Sequence, residues 1–374
     1  MVLELVGVRR PTGRARRHDI TLLAAVAALV VIGVAFVSIA TTGRLELTAP
    51  NVARQVVALV LGTGIAGVLA TVDYRRSALM APLLYVVSLA LLILVLVVGP
   101  TINGARAWLQ VGALQFQPSE VAKVALLMML AALTQERREP ALTAWGIVAV
   151  VVVAAVPMGL ILLQPDFGTF LVFVVLTCTL LLVAGARLRH MVVLAALGLV
   201  AIGMAWQLHL VQDYQVERLA VFLDADAGDP QGAGYNIAQA QIAVGAGGLF
   251  GRGLLAGEQT ALGYVPEHHT DFIFTVIAEE TGFAGALVLL GLYTVVFWRG
   301  IRIAIAAPDL LGTLLAAGGV AVLAVQVFVS VGMTVGLVPV IGLPLPLISY
   351  GGTNLIASLA MIGLLLGVHR ATPR

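Results

Sequence analysis

Long apolar windows, interrupted by charges, prolines and glycines, recur from one end of this chain to the other, and a helix that spans a bilayer needs about 20 such residues. The pattern predicts ten helices, near 20–40, 55–72, 78–98, 119–135, 143–163, 167–185, 190–207, 271–298, 311–335 and 353–368. The fifth and sixth are parted only by Gln164-Pro-Asp-Phe-Gly168, a tight break between two short spans. The expected fold is an all-α polytopic integral membrane protein, one membrane domain over 1–374, with about ten transmembrane helices and a large external loop, 208–270, between the seventh and eighth. Within that loop, Tyr235 to Gly251 reads as short amphipathic pieces lying at the interface.

Charge placement orients the spans. Fifteen arginines fall in alternate turns and at the two ends (tails 1–19 and 369–374), and five, Arg44, Arg54, Arg106, Arg218 and Arg252, fall opposite. Since positive charge is retained inside, both termini are expected in the cytoplasm and the longer loops outside. The first window, Ile20 to Ala40, is too long for a signal-peptide core and is read as a retained span. Composition agrees: 60% of residues are hydrophobic and 11% charged, against about 25% charged in a soluble domain. The net charge of +2 does not point to nucleic acid, and the lone Cys178 can form no disulfide within the chain.

Candidate chemistry gathers on the external side. Lys123 is the only lysine in the chain; it lies in an apolar run one helical turn after Glu120, so the two share a face. They either line a polar cavity or simply neutralise each other near a helix start. Pro266-Glu-His-His-Thr-Asp-Phe272 stands where the large loop meets the eighth span. A partly desolvated carboxylate there, Asp271, suits a general base; its plainer reading is a helix N-cap. Glu279 and Glu280 lie about 12 Å deeper at 1.5 Å per residue, where at least one should face an inward partner. His268 and His269 have no companions at zinc-ligand spacing.

Gly342-Leu-Pro-Leu-Pro-Leu-Ile-Ser-Tyr-Gly-Gly352 is backbone that cannot face lipid, so it is expected to dip into a protein-lined external cavity. Asn103-Gly-Ala-Arg-Ala-Trp108 sets a cation, Arg106, beside an interfacial aromatic. The cations Arg106, Lys123 and Arg218 suit a diphosphate, and Glu120 and Asp271 supply carboxylates. No phosphate loop, GxSxG elbow or nucleotide fingerprint occurs.

Taken in order, these motifs, with Arg218 before Phe222-Leu-Asp224 and Pro344-Leu-Pro346 before Ser349-Tyr-Gly-Gly352, resemble the SEDS family (shape, elongation, division and sporulation) of peptidoglycan glycosyltransferases over nearly the whole chain. Gly234-Tyr-Asn236 and Val331-Gly-Met333 look most like its rod-shape RodA branch rather than the division branch. Ala107, Ala246 and Asn354 depart from residues common in the family. The resemblance implies Asp271 as the essential catalytic carboxylate and lipid II, an undecaprenyl-diphosphate-linked disaccharide pentapeptide, as substrate on the outer leaflet during elongation. Glu120, Lys123, Arg106, Arg218, His269 and Ser349 are the expected substrate-binding residues. It also implies a class B penicillin-binding protein and other elongation-complex membrane proteins as partners. No cofactor is called for, and a divalent cation at the diphosphate is an open alternative. Two other readings compete: a flippase for the lipid-linked precursor, and a scaffold that only recruits the penicillin-binding protein. The charged groups lie toward the outside rather than along a route across the bilayer, which favours the enzyme.

Overall fold

The computed structural model describes residues 19–43, 46, 49–102, 104–111, 114–135, 142–207, 216, 218, 220–222, 233–265 and 267–372. Arg9 to Arg17, Arg44, Asn103, Arg137, Arg138, Asp224, Asp226, Asp229, Pro266 and Arg374, all used in the sequence reading, lie outside them.

Among the described residues, ten long helices follow the ten apolar windows: α1 (Ile20–Thr42), α2 (Pro50–Thr71), α4 (Ala81–Val98), α5 (Pro118–Gln135), α6 (Ala144–Leu163), α7 (Phe167–Val183), α8 (Leu188–Gln207), α11 (Ile273–Ala306), α12 (Leu310–Thr334) and α13 (Gly352–Ala371). Seven of them are long and apolar enough to cross a membrane, while α7 and the apolar part of α8 are shorter. Between them lie the short α3 (Tyr74–Leu79), a hairpin of β1 (Leu109–Val111) and β2 (Leu114–Phe116), and, in the large loop, α9 (Ala233–Gly247) and α10 (Glu258–Leu262). The hairpin pairs Leu109 with Phe116 and Gln110 with Gln115; periodicity over such short strands gave no sign of it.

Helix starts follow the capping side chains. Asp19, Thr143, Asp166 and Asp309 each accept a hydrogen bond from a backbone N–H three residues on, which meets one of the free donors of a first turn. The middle of the bundle is α12 and α13, which are mostly buried. α13 lies backbone to backbone on α2: a Cβ added at Gly363 would come 2.6 Å from Ala66 Cα, and one at Gly62 would come 2.7 Å from Leu359 Cδ1. Small residues at four-residue spacing, Gly62/Ala66 against Gly363/Gly367, allow this approach. At the opposite extreme, none of the described residues of α8 is buried.

One predicted element is corrected. The eighth window does not form a single uninterrupted helix but two joined at Gly282, whose φ of 66° and ψ of −165° are non-helical. Residues 247–253 of the large loop fill the break. Arg252 and Gly253 donate their N–H groups to the carbonyls of Glu279 and Glu280 (2.9 and 3.1 Å), and Phe283 and Ala284 donate to Gly248 and Leu249 (2.9 and 3.0 Å). Backbone groups freed within a spanning helix must find partners in protein, and here the loop supplies them. The fit needs glycine: a Cβ on Gly247 or Gly251 would stand 2.0 Å from the carbonyl oxygen of Ala278 or Glu280.

Candidate active site

Four segments meet at the end of α11. The turn 267–272 is closed by Thr270 and Phe272 N–H groups donating to the Glu267 carbonyl. The helix then begins at Ile273 with Phe272 at the cap position and no side-chain capping bond, so Asp271 is not serving as an N-cap. Among the described residues no donor is bonded to its carboxylate.

Residues 340–350 hold the turn from the other side. Ser349 Oγ donates to the Thr270 carbonyl (2.6 Å) and accepts from Leu345 N–H (2.8 Å). Tyr350 N–H donates to the His269 carbonyl (3.0 Å). Gly342 has a φ of 79°, and a Cβ there would come 3.2 Å from Asp271 Oδ2. As the sequence led us to expect, this irregular segment is enclosed in protein: Leu345 and Ile348 are fully buried. Gln55 of α2 fixes it further, donating to the Ser349 carbonyl (3.0 Å) and accepting from Gly351 N–H (3.3 Å).

The third segment is the start of α7. Asp166 accepts from Thr169 N–H (2.9 Å), Thr169 Oγ1 (2.7 Å) and Gln117 Nε2 (3.2 Å). A Cβ at Gly168 would meet Leu343 at 2.9 Å and the Gly342 carbonyl at 3.3 Å, so this helix end abuts the glycine that backs Asp271. The fourth is the stretch bearing Arg218, whose Nη1 donates to the Val340 carbonyl (3.3 Å).

Burial raises the Asp271 carboxyl from 3.8 to about 7; the charges of Glu267 and Asp166 push the same way and the Arg218 guanidinium opposes them. Asp271 nevertheless keeps part of its surface open. A carboxyl that ionises near neutrality and is reachable from outside can accept a proton from a hydroxyl. The His269 imidazole is pushed down, chiefly by burial; its ring lies 5.7 Å from that of Tyr350.

The other expected site residues are distributed unevenly. Arg218 stands at the Asp271 turn. Arg106 is exposed, with Nε donating to Thr101 Oγ1 (3.1 Å). Ser349, 2% exposed, has its hydroxyl engaged by backbone on both sides. Lys123 and Glu120 form an ion pair at 2.7 Å with side-chain exposures of 0% and 1%, inside the bundle. Glu279 faces a partner as expected, but that partner is backbone and hydroxyl rather than a cation: Gln259 N–H (2.7 Å), Thr260 N–H (3.0 Å) and Thr260 Oγ1 (2.6 Å) donate to it. Sequence reasoning quoted the motifs holding Asp166, Gln117 and Gly342 without singling those residues out, and missed Gln55 altogether. Gln55 follows Asn51 and Arg54 at the polar start of the second window, where nothing in the sequence sets it apart. Among the described residues no group of three or more His, Cys, Asp or Glu is gathered for a metal ion. An apolar groove of about 450 Å³ beside the end of α8, lined by Val200, Gly203, Met204 and Gln207, contains none of the charged candidates.

With the geometry in place, comparison with known proteins is decisive. Residues 17–373 match the cell cycle protein family FtsW/RodA/SpoVE. The chain belongs to that family. It is 40% identical over 317 residues to the peptidoglycan glycosyltransferase MrdB of Escherichia coli K12, covering 84% of this chain and 85% of that one. Two solved structures share the fold of this family member at similar identity. One is a chain of a peptidoglycan synthase complex in which polymerization and crosslinking are coordinated (TM-score 0.79, 40% identity, 94% of this chain and 98% of that one). The other is the rod shape determining protein RodA of Thermus thermophilus (TM-score 0.71, 37% identity, 96% and 98%). The family member described here is thus a multi-span membrane protein of the RodA kind.

Proposed function

We propose that this protein is a peptidoglycan glycosyltransferase that polymerises lipid II on the outer face of the cytoplasmic membrane during elongation, with Asp271 as its general base. The observation that carries the reading is the Asp271 carboxylate: free of the helix cap, without a bonded donor among the described residues, backed by Gly342 and ionising near 7. It takes the proton of the acceptor 4-hydroxyl as that oxygen attacks the donor anomeric carbon. The anomeric centre inverts, the bond to the diphosphate oxygen breaks, and the lipid diphosphate leaves. Arg218, at the same turn, and Arg106, exposed on the same side by the sequence orientation, meet the phosphate charge. Glu120 and Lys123 act from within the bundle, and burial favours an orienting role over direct contact. His269 and Ser349 shape the pocket, Ser349 through backbone. The apolar groove beside α8 is of a kind that takes a lipid chain.

The whole chain works as one membrane domain with both termini in the cytoplasm. Its partner is a class B penicillin-binding protein, in keeping with the synthase complex that its fold matches. A flippase is less well supported, because the relative MrdB is a glycosyltransferase. Gel-resolved polymerisation of purified lipid II tests the reading, with the crosslinking activity of the partner blocked. Glycan ladders that vanish in folded Asp271→Ala and Asp271→Asn proteins are expected; full-length ladders from Asp271→Asn would remove the base assignment.

A further inference from the structure

Most hydroxyls inside this bundle turn back on their own helix. Thr134, Thr177 and Thr281 each donate to the carbonyl four residues earlier, at 2.8, 2.7 and 2.6 Å. Ser119 on α5, Ser330 on α12 and Ser358 on α13 do not: each is 0% exposed, and none of the three has a hydrogen-bond partner among the described residues. Two buried amides behave alike. Gln326 Nε2 donates to Asn354 Oδ1 at 3.4 Å, which leaves Gln326 Oε1 and Asn354 Nδ2 without partners. Reversing both amides would exchange the unmet atoms but would still leave one C=O and one NH2.

These groups lie on three helices, strung over about 12 Å of depth: Ser330 is one turn outward of the Gln326–Asn354 bond and Ser358 one turn inward of it. Gln326 and Ser330, like Asn354 and Ser358, are four residues apart and so share a helix face. Gln326–Asn354 joins α12 to α13, and Gln117 N–H donating to Thr353 Oγ1 (3.4 Å) joins the start of α5 to that of α13. Leu127 of α5 packs on Gly318 of α12. Ser119 and Gln326 each lie eight residues outward of that contact, which sets them at the same depth. The Lys123–Glu120 pair is on the same stretch of α5, and its ammonium has three N–H groups with Glu120 as their bonded partner.

We propose that α5, α12 and α13 enclose a file of bound waters, in which ordered water meets each of the serine hydroxyls and the free ends of Gln326 and Asn354 and completes the shell of Lys123. Buried polar atoms without protein partners are met by ordered water or by an ion. Two features choose water. The unmet set contains both an acceptor and a donor, which an amphoteric molecule satisfies and a cation does not. Glu120 is already neutralised by Lys123, so a cation would add an uncompensated charge inside the bundle. The site lets a full ion pair persist where hydrocarbon would reject it, and the inference stands apart from the role assigned to Asp271.

Two measurements on the full-length protein in nanodiscs test it. In a map that resolves ordered water, peaks are expected within hydrogen-bonding reach of at least two of these side chains. Bare atoms, or direct side-chain pairing in their place, would overturn the proposal, as would a single peak at cation-ligand distances. The thermal midpoints of Ser330→Ala and Ser358→Ala give an independent sign. Losing a hydroxyl that holds water lowers the midpoint by a few degrees, whereas losing one that sits dry and unbonded raises it. A rise in both variants would overturn the proposal.

Discussion

Ser349 Oγ donates to the carbonyl of Thr270, the residue before Asp271, and at the same time accepts from the N–H of Leu345. One hydroxyl thus ties the irregular segment after α12 to the turn that carries the proposed base. Ser349→Ala leaves a buried carbonyl and a buried N–H unmet, at about 1–3 kcal/mol each, and frees the turn. We expect a lower melting temperature and a kcat reduced roughly 10- to 100-fold with a smaller change in KM, the signature of a displaced reacting group. Ser349→Thr, which keeps the hydroxyl, should recover part of the loss. A Ser349→Ala enzyme with unchanged kcat would show that the turn holds its place without this tie.

Gly342 meets two demands at once, a positive φ and a bare face toward Asp271 Oδ2. Gly342→Ala costs about 1–2 kcal/mol in backbone strain and pushes a methyl to within tight contact of the carboxylate. Polymerisation by the folded variant should fall well below wild type, measured as initial rate at saturating lipid II.

The raised Asp271 pKa has two pH consequences. The base form exists above about 7, so kcat/KM should climb with pH through an inflection near that value. Glu267→Gln removes a negative neighbour and moves the inflection down; Arg218→Gln removes the cation and moves it up.

Stability runs the opposite way. Because the folded state binds the Asp271 proton more tightly than the unfolded chain, this group's contribution is fully present below the ordinary value of 3.8 and is lost as pH rises through about 7. Asp271→Asn should therefore melt above wild type at pH 8 and converge with it in acid. Parallel melting curves across that range would contradict the shift.

Glu279 accepts three hydrogen bonds at the start of α10. Glu279→Ala should expose the amides of Gln259 and Thr260, read as faster hydrogen exchange there, and should cost about 1–3 kcal/mol for losing bonds to a charged acceptor.

The ten helices were legible because a bilayer demands long apolar windows, and that demand is written residue by residue. Asp271 and the Lys123–Glu120 pair were legible for the converse reason: charge among apolar residues needs an explanation. The break at Gly282 was not, since a glycine in an apolar helix carries no sign of the loop that will fill the gap. Nor was the allocation of Ser349 and Glu279 to backbone, because their partners stand 79 and about 20 residues away. Lys123 was expected among the substrate-binding residues, but depth within the bundle is invisible in sequence; the fold shows its side chain 0% exposed and paired with Glu120.

The patch at Gly282 turns the large loop into a splint. Phe250, 83% exposed, and Leu254, 61% exposed, project from the same short stretch whose backbone is bonded across the helix break. Ten residues separate the break from Asp271, and they form one turn-and-helix arm. The same stretch is bonded to both halves of the broken helix, by two hydrogen bonds at Glu279 and Glu280 to the arm at whose end the carboxylate sits, and by two at Phe283 and Ala284 to the half beyond Gly282. The loop holds the two halves as one rod, with a glycine for its joint.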